Sequence, residues 1–231
     1  MIDWLDETSL PRFPSTGKAL SDPNGLLAAG GVVSPLWIDA AYRSGIFPWN
    51  DPDEVRLWWS PAPRAVIRPQ DFRIPRSVKK AMNRSNFTVT TNLAFESVMH
   101  ACAQPRDYEA GTWISDDIVE TYTRLNACGR AVSVECWDGS GMLCGGFYGL
   151  TIGAAFFGES MFSRVSDASK IAFATAAPYL FDSGIEMIDC QMKTDHLGRF
   201  GLVELDRGEF EALLAKNAAK TSQLNLPGVL R

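Results

Sequence analysis

The sequence predicts an α+β fold of mixed α/β character: a small amino-terminal α/β domain over residues 1–62, then a larger domain over 63–231. Three observations carry that prediction. The first 60 residues are dense in chain-turning pairs, with "DPNG", "GG", "GIFPWNDPDE" and "WWSPAPR", and Pro61 and Pro63 mark a boundary. Beyond them, segments of helical and strand period are interleaved. Between Ala131 and Ser163 come "AVSVECWD", "GMLCGGFYGLTIG" and "AAFFGESMFS", three strand-like runs joined at glycines, which read as an antiparallel meander.

Taken in order, "DPNG" is a turn, and "GG" before "VVSP" is a loop leading to a helix N-cap at Ser34. Pro35 suits the first helical position, and "PLWIDAAYRSG" is a helix closed by Gly45. After the boundary, "RAVIRP" reads as a strand, "PRSVKKAMNRS" as a basic helix, "FTVTTN" as a strand and "AFESVMHACAQ" as a helix. "SDDIVETYTRLNACG" is a helix with Ser115 as its cap, acids in its first turn and Gly129 at its end. Following the meander, "DASKIAFATAAPYLFDSG" is a helix, "MIDCQ" a strand, and "RGEFEALLAKNAA" the last helix.

Composition narrows the chemistry. At 231 residues, 46% hydrophobic and 21% charged, the chain has the make-up of a soluble globular protein. No apolar run reaches the roughly 18–20 residues that span a bilayer. The start "MIDWLDETSL" lacks the basic and apolar parts of a signal peptide, so a cytoplasmic protein is expected. Five cysteines without a CxxC pair, and two distant histidines, point to reduced core thiols and to no metal. Nucleotide, zinc and serine-hydrolase motifs are absent from the sequence, and no cofactor is expected.

The candidate chemistry lies in two acids and their surroundings. In "EMIDCQMKTDH", strand alternation puts Asp189 and Gln191 on one face and Ile188 and Cys190 on the other, which removes Cys190 as a nucleophile candidate. Glu159 stands among Phe156, Phe157, Met161 and Phe162. An unpaired charge in such a strand costs several kcal/mol. Either acid alone reads equally as a strand-end carboxylate that caps a helix or meets water. Both together, among large apolar residues, read as a site that receives a cation. Trp49, Trp58, Trp59 and Trp113 lie in loop-like contexts, where a tryptophan either packs in the core or stacks on a base. Seven cations (Arg64, Arg68, Arg73, Arg76, Lys79, Lys80, Arg84) fall within 21 positions against one acid, Asp71, as a solvated helix face or a phosphate-contacting patch.

The blocks "DPNGLLAAGG", "AYRSGIFPW", "LWWSPAPRAV", "GTWI", "SVECW", "FFGESMFS", "DASKIA" and "IDCQ…T.HL" resemble, in order and spacing, the leucyl/phenylalanyl-tRNA–protein transferases, from about Leu10 to Phe210. The resemblance implies a GNAT-like carboxy-terminal domain. It also implies transfer of Leu or Phe from aminoacyl-tRNA to the α-amino group of proteins beginning with Arg or Lys, marking them for degradation. An aminoacyl ester is already activated, so the missing ATP site fits this chemistry. By the same resemblance, Asp189 and Gln191 form a relay: the Gln191 oxygen accepts an N–H and orients the attacking amine, while Asp189 fixes the Gln191 amide and either assists the proton's departure or only holds that amide in place. Glu159, in "GES" after Gly158, recognises an ammonium or guanidinium group. Phe147, Phe156, Met161, Phe173 and Ile188 line the pocket for the donor side chain. Trp49 and Trp113 flank the terminal adenosine, and the run from Arg64 to Arg84 meets the acceptor-stem phosphates.

Departures from the family pattern are Val32 in "GGVVS", Val132 before "SVE", and "GRFGLVELDR" with Arg199 after "HL". Two other readings stay open. One is a GNAT-like N-acetyltransferase using acyl-CoA, for which "GRFGL" is a poor pyrophosphate loop. The other is a tRNA- or peptide-binding module with little turnover.

Overall fold

The computed structural model describes residues 2–51, 54–104, 112–221 and 224–230. The turn-rich first unit is organised by strand pairing. It contains β1 (Asp3–Leu5), β2 (Leu26–Gly30), α1 (Pro35–Arg43), β3 (Phe47–Pro48) and β4 (Leu57–Trp59), with sheet order β1-β2-β4-β3. Helix α1 starts as the sequence predicts: the Ser34 Oγ accepts the Trp37 N–H at 3.4 Å, and Pro35 occupies the first turn. Gly45, at φ 71°, turns the chain just past its end.

The second unit contains β5 (Arg64–Ile67), α2 (Arg76–Arg84), β6 (Thr88–Thr91), α3 (Phe95–Cys102), α4 (Asp116–Ala127), β7 (Ala131–Trp137), β8 (Leu143–Ile152) and β9 (Ala155–Ser163). It continues with α5 (Ala168–Asp182), β10 (Met187–Asp189), α6 (Asp195–Gly198), β11 (Val203–Leu205), α7 (Arg207–Ala218) and β12 (Val229–Leu230). Eight strands form one sheet in the order β11-β5-β10-β9-β8-β7-β6-β12. The expected meander is β7–β8–β9. It is followed by a helix and by β10, which runs parallel to β9, in keeping with the α+β class expected. Ser115 departs from expectation. It stands at the N-cap position of α4 without a capping bond, because its hydroxyl donates to the Asp117 carboxylate, whose Oδ1 also accepts the Ile118 N–H.

The large sheet separates two cores. One, containing Val134, Phe147, Phe156 and Ile188, is covered by α5 and by Val78 of α2. The other holds Tyr42, Tyr122, Tyr148, Phe157 and Phe210, and it is continuous with Leu27, Trp37 and Trp58 of the first unit. Each fully buried aromatic or aliphatic side chain stabilises by roughly 1.5–3 kcal/mol, so this shared core welds the two sheets together.

The key register is at β10. Asp189 stands opposite Val66 of β5 on one side and Phe157 of β9 on the other. There β10 ends, while β9 continues to Ser163. The parallel pair therefore opens at Asp189.

Candidate active site

Asp189 is fully buried, and a strand-end carboxylate in that position needs a partner. β5 supplies it. Arg64, only 1% exposed, donates from Nε to Oδ1 at 2.9 Å and to Oδ2 at 3.2 Å, and from Nη2 to Oδ2 at 2.8 Å. Its Nη1 donates to the Gly45 carbonyl at 3.0 Å, and its guanidinium lies 4.9 Å from the Phe47 ring centre and 4.7 Å from that of Phe210. This corrects one expectation. Arg64 does not meet RNA phosphates, because it is enclosed by protein and its donors are spent on Asp189 and Gly45.

Gln191 also differs from expectation. The strand stops at Asp189, so alternation does not reach Gln191, and the two side chains are not successive members of one strand face. The backbone turns instead. Gln191 has φ 56°, and the Met192 N–H bonds the Cys190 carbonyl at 2.7 Å across it, a tight three-residue turn. Such a conformation costs a non-glycine residue roughly 1–3 kcal/mol and recurs at functional sites. Two bonds pin it: the Gln191 N–H donates to Asp189 Oδ1 at 2.9 Å, and the Gln191 carbonyl accepts the Ala65 N–H at 3.2 Å. Asp189 thus holds Gln191 by its backbone amide. Burial raises the Cys190 thiol pKa, keeping that side chain protonated.

Glu159 is positioned by a β-bulge. Tyr148 pairs with Ser160 and Gly149 pairs with Gly158, leaving Glu159 as the extra residue opposite Tyr148. Gly149 is needed there, since a Cβ would come within 2.3 Å of the Phe156 ring and 2.4 Å of the Phe157 carbonyl. The Tyr42 hydroxyl donates to Glu159 Oε2 at 2.8 Å and lies 3.0 Å from the Tyr122 hydroxyl. Glu159 Oε1 and the Tyr148 hydroxyl are both shielded from solvent and have no hydrogen-bond partner among the described residues. Burial pushes the Glu159 carboxyl up to about 8, against the lowering effect of the Tyr42 and Tyr122 hydroxyls. The charge of Asp189 adds to the rise and that of Arg64 opposes it. Burial, and then the charge of Glu159, raise all three tyrosines well above the usual phenol range.

The bulge also sorts the apolar candidates. With one extra residue in β9, Phe156 and Met161 fall on the same sheet face, alongside Phe147 and Ile188. Phe147 meets Phe156 with ring centres 6.3 Å apart and Phe173 of α5 at 5.8 Å. Phe147, Phe156, Phe173 and Ile188 are buried in this wall, and Met161 is half-buried. Gly158 is half-buried, with room beside the Asp189 carbonyl. Asp189, Arg64, Glu159 and the tyrosines belong to the opposite side, so the sheet divides apolar wall from polar cluster.

Trp49 is 43% exposed and meets Trp59 edge-on, while Trp113 is half-buried. Arg56 draws their neighbourhoods together, donating to Asn50 at 3.1 Å and to Asp117 at 2.8 Å. Arg73, Arg76, Lys79, Lys80 and Arg84 are exposed, and Arg68 is partly so and bonded to Asp71 at 2.5 Å. Of the departures, Val32 and Val132 pack into the cores. Arg199 is exposed beside the start of α2, lining a cavity with Ser77, Lys170 and Asp195. Sequence reasoning missed the role of Arg64 and the tyrosines. Their one signal was the need of each buried acid for donors.

Two family models match the chain. One, described as leucyl/phenylalanyl-tRNA protein transferase, covers residues 66–215, and the other, described as the N-terminal domain of the same family, covers residues 31–62. The chain is 51% identical over 215 residues to the leucyl/phenylalanyl-tRNA–protein transferase of Aromatoleum aromaticum, covering 93% of this chain and 90% of that one. The protein of that name in Nitrosomonas europaea is 50% identical over 94% of this chain and 89% of its own. Its counterpart in Nitrosomonas eutropha is 52% identical over 88% of this chain and 87% of its own.

Proposed function

The chain belongs to the leucyl/phenylalanyl-tRNA–protein transferase family, and from that premise we propose how its residues move Leu or Phe from tRNA to protein. The protein is an aminoacyltransferase. The acceptor is the α-amino group of a protein beginning with Arg or Lys, and the product is marked for degradation. The α-amine attacks the ester carbonyl carbon, a C–N bond forms, the ester C–O bond to the ribose breaks, and the proton lost by nitrogen ends on the ribose oxygen. The α-amine, with an ordinary pKa near 8, is partly neutral at pH 7. Holding amine and ester in contact can lower the barrier by about 7–11 kcal/mol.

The observation that carries this reading is the pinned turn at Gln191, beside the opening between β9 and β10. The Gln191 carboxamide has no useful basicity, but its oxygen accepts an N–H and orients the amine. Asp189 is the positioning residue that fixes this turn. Its charge is balanced by Arg64, so it acts through Gln191 and not as a free base. Glu159 takes the cationic end of the acceptor, the wall of Phe147, Phe156, Met161, Phe173 and Ile188 beside Gly158 selects the donor side chain, and Trp49 and Trp113 flank the adenosine. Arg73, Arg76, Lys79, Lys80 and Arg84 contact acceptor-stem phosphates, with Arg68 at their edge. Work of this kind is done where aminoacyl-tRNA is made, in the cytoplasm, without a metal or cofactor.

Incubation with radiolabelled Leu-tRNA or Phe-tRNA and a protein beginning with Arg tests the reading directly. Label should enter the acceptor, and Gln191→Ala should slow transfer on the order of 10²-fold while tRNA binding changes little. Transfer from acetyl-CoA alone would make the protein an acetyltransferase. Intact tRNA binding with no transfer would leave a binding module.

A further inference from the structure

The polar cluster beneath the bulge holds two unused valences. Glu159 Oε1 and the Tyr148 hydroxyl are both closed off from solvent, and neither has a hydrogen-bond partner among the described residues. A buried polar group without a partner weakens the fold, and two such groups near one another call for an occupant. The titratable and charged groups around them come from six elements. α1 contributes Tyr42, and α4 contributes Tyr122. β8 contributes Tyr148, whose phenol also senses Glu159 and Cys102 of α3. β10 and β5 contribute Asp189 and Arg64, which are already spent on each other. Glu159 is left as the acid of this group with no cation paired to it among the described residues.

The walls favour a cation. Tyr42 meets Phe157 edge-on with ring centres 5.0 Å apart, Tyr122 meets Tyr148 at 5.5 Å, and Phe95 meets Tyr148 at 6.2 Å. Aromatic rings around a carboxylate are the surroundings that hold an ammonium or guanidinium group. A hydroxyl oxygen accepts an N–H as readily as a carboxylate oxygen does, which suits a group carrying several donors.

We infer that Tyr148 is a specificity-determining residue, its hydroxyl and Glu159 Oε1 forming a two-point receptor for the cationic end of the acceptor's first side chain. The Tyr42 hydroxyl, itself bonded to that of Tyr122, is the brace: it occupies Glu159 Oε2 and leaves Oε1 for the cation. The inference rests on the acceptor reading proposed above and adds to it a second contact, from β8.

Tyr148→Phe tests it with a built-in control. The phenyl ring keeps its packing, and the hydroxyl removed had no partner among the described residues, so the variant should hold or raise the melting temperature. With peptides beginning in Arg, its KM for the acceptor should rise on the order of tenfold, with kcat and the KM for Leu-tRNA unchanged. Its preference for Arg over a norleucine peptide should narrow by the same factor. An unchanged preference in Tyr148→Phe, alongside a collapsed one in Glu159→Gln, would overturn the role of Tyr148 and leave the acceptor reading intact. A wild-type protein that transfers equally to Arg and norleucine peptides would remove the acceptor reading itself. A melting temperature that falls in Tyr148→Phe with kinetics unchanged would make the hydroxyl a structural group.

Discussion

Glu159 shows most directly what single residues contribute. Its carboxyl is pushed to about 8 in the fold, first by burial, and returns to about 4.5 when the chain unfolds. Between those values the folded state holds a proton that the unfolded state has released. Stability from this group is therefore lost as pH rises from about 4.5 towards about 8. The neighbours that could share the titration are Tyr42, Tyr122 and Tyr148, all kept protonated, and the closed Asp189–Arg64 pair. Thermal unfolding at pH 5 and pH 8 should show the wild type losing more melting temperature than Glu159→Gln. Parallel losses would mean that the carboxyl titrates as an ordinary surface acid. Arg64 makes the complementary point. Removing one member of a fully buried ion pair typically costs about 3–5 kcal/mol, so effects of Arg64 or Asp189 variants on transfer have to be separated from loss of fold.

At the scale of elements, helix α2 offers exposed cations and one buried side chain, Val78, to the core. Changing Lys79, Lys80 and Arg84 together to Glu should leave the melting temperature nearly unchanged. The same change should weaken tRNA binding and flatten its dependence on salt, by nearly one unit of log–log slope for each phosphate that is no longer neutralised. A salt slope equal to that of the wild type would place the RNA elsewhere. The helices other than the short α6, and the three long meander strands, were legible in the sequence because their signals are local: caps, periodicity and glycine turns. β1, β2 and β4 were not, since each is short and takes its identity from a distant partner. The bulge at Glu159 was equally hidden, because an extra residue exists only relative to the strand opposite. Gln191 was misplaced on a strand face for a related reason, as the end of β10 is set by the turn that Asp189 and Ala65 impose. Arg64 was counted with a surface run because nothing nearby in sequence distinguishes it from its exposed neighbours.

Across the whole molecule, the support of Asp189 crosses the boundary expected between residues 1–62 and 63–231. Gly45 and Phe47 come from the first part, and Phe210 comes from α7 in the second. Cut after residue 62, the second part would leave the Arg64 guanidinium short of an acceptor and an aromatic wall, and would expose the shared core. Expressed alone, residues 63–231 should unfold at markedly lower urea concentration than the intact chain, or aggregate. A midpoint equal to that of the full protein would show the two parts to be independent. The pair also imposes a timetable. Arg64 and Asp189 are 125 residues apart. At roughly 5–20 residues per second of synthesis, the carboxylate follows the guanidinium out of the ribosome by roughly 6–25 s. Throughout that interval β5 lacks its β10 neighbour, and the long-range closure that seats Gln191 belongs among the last acts of folding.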